Sequence, residues 1–246
     1  GFSDRIINAF FRPFFGGIFL ETELATSSRM FEFVFPMFSE GKAALPAEGM
    51  EAIPKQLASR LAKDALRLKA RVEAIGEKEV RLAGGERVPA AAVVLATEST
   101  EAARLMPELH PPGWHDTACL YYAAAKPPIQ KPMLVLNGEG SGAVDNLCVP
   151  SNVAPTYAPA GQSLVSATVV GASDADEKGL ESEVRKHLAS WFGSEVGSWK
   201  HLRTYRIRQA LPARQSLDPA ALPVRRNPGL YICGDHRETP SLQGAM

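Results

Sequence analysis

The sequence predicts a mixed α/β fold of the α+β class, arranged as two interleaved lobes. Three observations carry this prediction: helical periodicity that changes to strand periodicity over residues 53–96, proline-punctuated strand-like pieces over 97–171, and an apolar strand at 229–235. The 246 residues are 45% apolar and 22% charged. A chain of this size buries one large core or two smaller ones.

The N-terminal segment is rich in phenylalanine. Apolar residues recur every four positions from Phe2, which predicts a helix, and Pro13 predicts that this helix ends near Arg12. The paired glycines that follow allow a turn or a close approach of backbones. Phe14 and Phe15 are either core residues or one wall of a ligand cavity, with a membrane-surface contact as a third alternative.

The next stretch predicts one compact α/β module. Residues 53–65 have apolar positions every four residues and are rich in helix formers, so they form the clearest predicted helix. Over residues 66–72 the period becomes two, which indicates a half-exposed strand. A short strand at 79–82 is then joined by a hairpin to the buried strand at 92–96.

The central region has the texture of an antiparallel sheet. Prolines separate β-rich pieces, and an amphipathic helix at 180–192 is stopped by Gly193. The predicted strands are 119–123, 133–137, 163–171 and 202–207.

Composition excludes several classes of protein. Lys plus Arg and Asp plus Glu each number 27, so no net field favours nucleic acid or anionic lipid. Cys119, Cys148 and Cys233 form no C-x-x-C pair, which favours a reducing, cytoplasmic location over a disulfide framework. No run is apolar enough to span a membrane, and the first residues do not read as a signal peptide.

Sequence motifs give no support for a dinucleotide loop, a hydrolase or a metal site. Residues 138–143 match G-x-G-x-x-A, but a strand ended by Pro150 follows them where a dinucleotide site needs a helix, so we predict a hairpin loop. Neither G-x-S-x-G nor H-E-x-x-H occurs, and the five histidines are scattered. The sequence therefore supports neither a hydrolase nor a metal site, and no catalytic residue is assigned.

The C-terminal segment carries the sharpest local signal. A buried strand leads into Gly234 and Asp235, and a loop then reaches Gly244 and Ala245, whose small size lets a backbone approach a planar ligand. The alternative is that Asp235 is a turn carboxylate that caps the loop. This ending resembles the C-terminal flavin signature of the superfamily of FAD-dependent amine oxidases, protoporphyrinogen oxidases and phytoene desaturases.

The resemblance covers nearly the whole chain. Residues 45–61, 68–75 and 93–97 are similar to the second FAD-domain stretch of this superfamily, and residues 150–159 look closest to its desaturase-like members from phototrophs and bacteria. The resemblance implies a substrate-lobe start at 1–45, an FAD-domain segment at 46–100, a substrate domain at 101–225 and a C-terminal FAD-domain segment at 226–246.

The resemblance also implies cofactor contacts. Val72 would meet the adenine through its backbone, and Asp235 would hold the ribityl or pyrophosphate part, with Gly234 giving it room. The residues implied to lie beside the flavin ring, before a helix whose dipole favours reduced flavin, are Gln243, Gly244, Ala245 and Met246. We expect these residues and the helix and hairpin near Met50 to form two walls of one nucleotide cleft.

Local apolar patterning adds a hypothetical substrate-binding wall. Its residues are Phe14, Phe15, Tyr121 and Tyr205. The resemblance implies an FAD-dependent oxidoreductase that oxidises an apolar or amine small-molecule substrate by hydride transfer to flavin. The alternative is a noncatalytic module that binds an apolar ligand or a protein. Other flavoprotein classes share the Gly-Asp ending but not the stretch around Met50.

The chain departs from the superfamily at both ends. It has no strand, G-x-G-x-x-G and helix, and it stops at Met246 before the helix expected after Gly244 and Ala245. We therefore expect a fragment that lacks the phosphate-binding loop, and the isolated chain is expected to be inactive and colourless. Each lost charge-assisted phosphate contact would remove roughly 1.5–3 kcal/mol. The substrate, the electron acceptor and the oligomeric state, including a homo-oligomer, stay open.

Overall fold

The structure, a computed structural model, describes residues 2–172, 174–213 and 222–245 and has the predicted mixed α/β class. The chain divides into two compact units. Unit 1 comprises Gly1–Thr26, Phe31–Gln56 and Trp114–Leu211; unit 2 comprises Ser27–Met30, Leu57–Gly113 and Pro212–Met246.

The chain begins with helices and continues with runs of strands separated by single helices. The α-helices are α1 (Asp4–Ile6), α2 (Arg12–Phe19), α3 (Ser28–Glu40), α4 (Ala52–Ala58), α5 (Ser99–Leu105), α6 (Pro150–Val153), α7 (Glu177–Phe192) and α8 (Leu242–Ala245). The strands are β1 (Val72–Ile75), β2 (Glu79–Leu82), β3 (Arg87–Pro89), β4 (Val93–Leu95), β5 (Gly113–Ala124), β6 (Val135–Leu136), β7 (Asn146–Cys148), β8 (Ser163–Val170), β9 (Lys200–Ala213), β10 (Arg225–Asn227) and β11 (Leu230–Ile232). A π-helical turn covers Ile7–Phe11, and 3-10 turns cover Pro155–Tyr157 and Gly193–Ser198.

Unit 1 is built on a five-stranded sheet with the order β6-β7-β8-β5-β9. The β6–β7, β7–β8 and β8–β5 pairs are antiparallel, as the sequence predicts. Helix α7 starts at the N-cap Asp176, whose Oδ2 accepts from the Gly179 amide at 2.8 Å, and Gly193 ends it with a φ of +81°. Side chains of α7 and of one sheet face share the core, which includes Leu120, Tyr122, Leu147, Val165, Val184 and Leu188.

Unit 2 contains two small sheets. Strands β1, β2 and β3 form an antiparallel meander, and β10, β11 and β4 form a second sheet in which β11 runs parallel to β4. The core beside the second sheet comprises Leu95, Ala102, Met106 and Ile232. The unit boundaries at Leu57 and Gly113 differ from the predicted segment limits at 46 and 100. The roles assigned to the predicted segments stay predictions.

The prediction that the first helix ends near Arg12 is wrong. A π-helical turn precedes Pro13, which lies in the first turn of α2. At this position the backbone N–H that proline lacks is not needed for a hydrogen bond within the helix. The helix therefore continues to Phe19. Of the two alternatives for the paired glycines, Gly16 shows the close approach of backbones, because a Cβ there would lie 2.6 Å from the Glu21 carbonyl oxygen. A Cβ on Gly17 would lie 2.7 Å from the side-chain nitrogen Nδ2 of Asn146.

Two predictions in the 53–72 stretch are also wrong. The helix stops at Ala58, because Leu57 and Leu61 are about half exposed and bury too little apolar surface to hold a longer helix. The strand begins only at Val72, since Lys69 has a left-handed φ of +56° that interrupts an extended backbone.

The strand predictions at 79–82 and 92–96 are confirmed, because the first matches β2 and the second contains β4. The hairpin that follows β2 leads to β3 and not to the buried strand, because β3 pairs with β2 whereas β4 lies in the second sheet. Of the predicted strand at 133–137, only residues 135 and 136 form a strand, β6. Residues 138–143 connect β6 to β7, which pair antiparallel, so the glycine-rich motif is a hairpin loop as predicted. Within the described ranges, no helix combines the length and apolar character that a membrane span requires.

Candidate functional site

The carboxyl ends of β4 and β11 form the first candidate site. The two strands are parallel, with Ile232 opposite Leu95, and the Cys233 amide donates to the Leu95 carbonyl at 3.1 Å. Thr97 and Gly234 therefore leave the sheet at the same edge. Ligands of open α/β sheets bind outside the carboxyl ends of parallel strands.

Gly234 and Asp235 form a tight turn at this edge. Gly234 has a φ of +143°, and a Cβ there would lie 2.7 Å from the His236 ring. The Arg237 amide closes the turn by donating to the Gly234 carbonyl at 3.0 Å. The Asp235 side chain is 30% exposed, with Oδ1 3.8 Å from His236 Nδ1. Its carboxylate is therefore partly accessible to a ligand.

The last residues form a short helix that starts earlier than predicted. Helix α8 already includes Gln243, Gly244 and Ala245, so a helical turn begins at Leu242, before the position expected from the sequence. The Gly244 amide donates to Ser241 Oγ at 3.0 Å, and a Cβ on Gly244 would overlap the Thr239 carbonyl. Met246 lies outside the described residues.

Val72 lies on β1 within unit 2, as Asp235 does. Arg104 Nη2 donates to the Val72 carbonyl at 2.6 Å and also pairs with Glu101 at 2.6 Å. This hydrogen bond from Arg104 holds the pKa of Glu101 below its usual value. A carbonyl oxygen has a second lone pair, so the Val72 carbonyl retains the capacity to accept from a ligand.

The module expected to form one wall of the nucleotide cleft is divided between the two units. Met50 and helix α4 up to Gln56 belong to unit 1, whereas the β1–β3 meander and β4 belong to unit 2 with the C-terminal segment. In unit 2, the buried strand β4 pairs in parallel with the C-terminal strand β11.

The second candidate site is the open face of the unit 1 sheet. Register pairs Tyr121 with Ser166 and Ser166 with Cys148, so their side chains share one face, and Cys119 lies two residues from Tyr121 on that face. Cys119 Sγ lies 3.2 Å from Ser166 Oγ. Burial, reinforced by Cys119, raises the pKa of Tyr121 to about 12 and that of Cys148 to about 11. These groups are neutral at physiological pH.

An apolar cavity of about 500 Å³ lies on this side of unit 1. It brings together Tyr121 and Tyr205, whose rings are perpendicular with centroids 5.7 Å apart. The guanidinium carbon of Arg203 lies 4.9 Å from the Tyr205 ring centroid. The lining residues that the sequence reasoning missed are Cys119, Tyr157, Leu164, Leu202, Arg203 and Ile207.

Phe14 and Phe15 do not line this cavity. Phe15 is 2% exposed and lies among aromatic rings, with the Phe31 ring centroid 5.0 Å away. The Phe14 ring lies 5.0 Å from that of Phe38. Both residues belong to an aromatic cluster formed by α2, α3 and the π-helical turn, in keeping with the core alternative.

No group of three or more His, Cys, Asp or Glu side chains in the described part of the chain could hold a metal ion. The two candidate sites are thus a turn at parallel strand ends and an aromatic cavity beside an antiparallel sheet. The fold is a mixed α/β fold, and each unit contains one of these candidate sites.

The chain belongs to the family of flavin-containing amine oxidoreductases, whose profile matches residues 1–246. This match confirms the resemblance drawn from the sequence. The family falls within the general class of flavin oxidoreductases. No curated protein matches the sequence.

Solved structures share the fold at low identity. An oxidoreductase from Methanosarcina mazei has a TM-score of 0.72 at 17% identity, over 99% of this chain and 63% of that one. A putative protoporphyrinogen oxidase from Exiguobacterium sp. 255-15 has a TM-score of 0.59 at 18% identity, over 81% and 49%. Cyclohexylamine oxidase from Brevibacterium oxydans IH-35A has a TM-score of 0.54 at 14% identity, over 80% and 50%. The chain thus spans between about half and 63% of the length of these structures.

Proposed function

We propose that the protein containing this chain is an FAD-dependent oxidoreductase that oxidises an apolar or amine substrate by hydride transfer to flavin. The observation that carries the proposal is the parallel β4–β11 edge ending in Gly234 and Asp235, in a chain of the flavin-containing amine oxidoreductase family. The chemistry that FAD supplies when bound is acceptance of a hydride, two electrons and one proton, from a substrate C–H bond.

The residues of unit 2 fit a dinucleotide in chemical terms. The partly exposed Asp235 carboxylate accepts hydrogen bonds, so it suits the ribityl hydroxyls better than an anionic pyrophosphate. Gly234 holds the left-handed turn that presents this carboxylate. Val72 offers backbone groups to the adenine, and the residues that we assign to the flavin-ring end are Gln243, Gly244, Ala245 and Met246.

Substrate binding is assigned to unit 1. The cavity that contains Tyr121 and Tyr205 has mostly apolar walls, which suit an apolar substrate body. Tyr157 donates its hydroxyl to the Pro46 carbonyl at 3.0 Å, so its ring is held against one side of this cavity. These side chains would bind and orient the substrate and exclude water from it.

The test is FAD titration of the full-length protein, followed by protein fluorescence. Asp235→Asn keeps the size of the side chain but removes its charge, and we expect FAD affinity to fall by about tenfold, because hydrogen bonds to charged groups are worth ~1.5–3 kcal/mol. Asp64→Asn is the matched control, since Asp64 has a left-handed φ of +69° that asparagine tolerates well. Full-length protein that takes up no flavin would overturn the proposal in favour of a noncatalytic binding module.

Two further expectations stay predictions. The 246-residue chain by itself is expected to purify colourless, and release of flavin on its denaturation would contradict this. The spacing of the cysteines continues to favour a cytoplasmic location.

A further inference from the structure

The cavity in unit 1 is mostly apolar, and its described lining includes one strongly basic side chain. Arg203 is the one Lys, Arg, Asp or Glu among the described residues that line it. No carboxylate of the described residues lies within 4.0 Å of the Arg203 guanidinium, whereas Arg208 on the same strand pairs with Asp174 at 3.0 Å. Among the described residues, no acid at the cavity therefore compensates the positive charge of Arg203.

The position of Arg203 suits a planar anion. Its guanidinium lies over the face of Tyr205 at 4.9 Å from the ring centroid, and such stacking restrains the guanidinium while leaving its N–H edge available. A guanidinium edge binds a carboxylate through two parallel hydrogen bonds, which a neutral group cannot match.

The other polar groups of the cavity do not oppose an anion. Tyr121 is protonated at neutral pH, as tyrosines ordinarily are, and burial raises its pKa further, to about 12. Tyr205 contributes its ring to the Arg203 stack. The leucine and isoleucine side chains at positions 164, 202 and 207 provide the apolar contact surface.

We propose that this cavity binds a substrate with an apolar body and a carboxylate, and that Arg203 selects the carboxylate. This inference rests on the proposed function, because that function assigns the cavity to the substrate. It narrows the two substrate classes given above: an acidic apolar molecule is favoured, and a simple amine is disfavoured by repulsion from the guanidinium.

The experiment compares three probes that share one apolar body. They are 4-phenylbutanoate, 4-phenylbutanamide and 4-phenylbutylamine, and ligand-observed NMR measures their binding to the full-length protein whether or not flavin is present. We expect the carboxylate to bind about tenfold more tightly than the amide at low ionic strength, since the guanidinium is exposed and its pairing is screened. Rising salt should reduce this preference.

Three variants attribute the preference to Arg203. Arg203→Gln should abolish the preference for the carboxylate over the amide and leave the affinity for the amide unchanged. Arg203→Lys should retain part of this preference, because lysine keeps the positive charge but acts as a point charge. Arg206→Gln removes the same charge from the same strand outside the cavity and should keep the preference. Because these side chains are exposed, circular dichroism should remain that of the unsubstituted protein.

Several results would overturn the inference. They are equal affinity for the carboxylate and the amide, tightest binding of the amine, or a preference that persists in Arg203→Gln. If flavin binds normally but the preference is missing, only this inference fails. If the preference is present but no flavin binds, only the proposed function fails.

Discussion

The five-stranded sheet of unit 1 and the β4–β11 pair of unit 2 present chemistry in different ways. In the sheet, the side chains suited to binding lie on one face and come from strands far apart in sequence, such as β5 and β9. In the parallel pair, the turn that presents the Asp235 carboxylate lies at the strand ends and is formed by consecutive residues, from Gly234 to Arg237. A site on a face depends on strand register, whereas a site at a strand end depends on a short segment.

The sheet also separates stability from binding by side-chain alternation. Leu120 and Tyr122 on β5 are fully buried on the face that packs with α7, whereas Tyr121 between them points to the open face. The two faces should therefore respond differently to substitution. At the strand ends of unit 2, Gly234 both forms the turn and positions the neighbouring Asp235.

The largest expected effect compares two leucines on the two sides of the unit 1 sheet. Leu188 on α7 is fully buried in the core, and Leu202 on β9 is 49% exposed at the cavity. Leu188→Ala should lower the free energy of unfolding by about 3 kcal/mol, because it removes buried methyl groups and leaves a cavity. Leu202→Ala should cost less than about 1 kcal/mol.

Urea unfolding followed by tryptophan fluorescence measures both leucine variants. The three tryptophans, Trp114, Trp191 and Trp199, all belong to unit 1, so their signal reports on that unit. Equal losses for the two variants would contradict the division into a structural face and a binding face.

A smaller effect is expected at the strand end of unit 2. Gly234→Ala introduces a side chain at a φ of +143° and 2.7 Å from the His236 ring, so it should destabilise the turn by about 2 kcal/mol. Hydrogen exchange of the Cys233 amide, which is bonded to the Leu95 carbonyl, measures this loss locally.

The control for this strand-end variant is Gly113→Ala. A Cβ on Gly113 meets Ala213 at an ordinary contact distance of 3.8 Å in the same unit. It should leave exchange at Cys233 unchanged. If Gly234→Ala also leaves it unchanged, the turn is not held by the glycine conformation.

The difference between the two regions explains what the sequence could predict. The sequence predicts the strand and turn that end in Gly234 and Asp235 because these residues are contiguous. It predicts the hairpin loop at 138–143 because Pro150 ends the strand that follows. Tyr121 and Tyr205 were proposed from local patterning alone, and the cavity brings them together. Arg203 was missed because its relation to Tyr121 depends on the arrangement of β9 beside β5.

Tertiary context also overrode local periodicity. The apolar repeat at 53–65 predicted a long helix, but its leucines are largely exposed, so packing does not extend α4 beyond Ala58. Likewise, the hydrogen bond from Arg104 to the Val72 carbonyl joins residues 32 positions apart. No local sequence pattern encodes a contact between residues so far apart. Alternation along each strand, in contrast, is local and indicates which residues lie on the same face of a sheet.

The smallest expected effect uses pH to test burial on the open face. Burial raises the pKa of Cys148 from its ordinary value of 9.0 to about 11. Well below pH 9 the thiol is protonated in both the folded and the unfolded state, so its contribution to stability is fully present. As pH rises from 9 towards 11, the unfolded chain ionises first and this contribution is lost. Between pH 8 and pH 9.5, the free energy of unfolding of the unsubstituted protein should therefore fall by up to about 1 kcal/mol relative to that of Cys148→Ser.

Urea unfolding of both proteins at each pH measures this difference, and groups that titrate identically in the two proteins cancel. Because Cys148 shares its face with Ser166 and Tyr121, the size of the loss reports how dry this part of the open face is. A difference that does not change with pH would mean that water reaches the thiol freely, and the open face would then differ from the core face in solvation as well as in packing. A loss in the expected range would mean that this face, although it is not covered by α7, excludes enough water to strengthen polar contacts with a bound ligand.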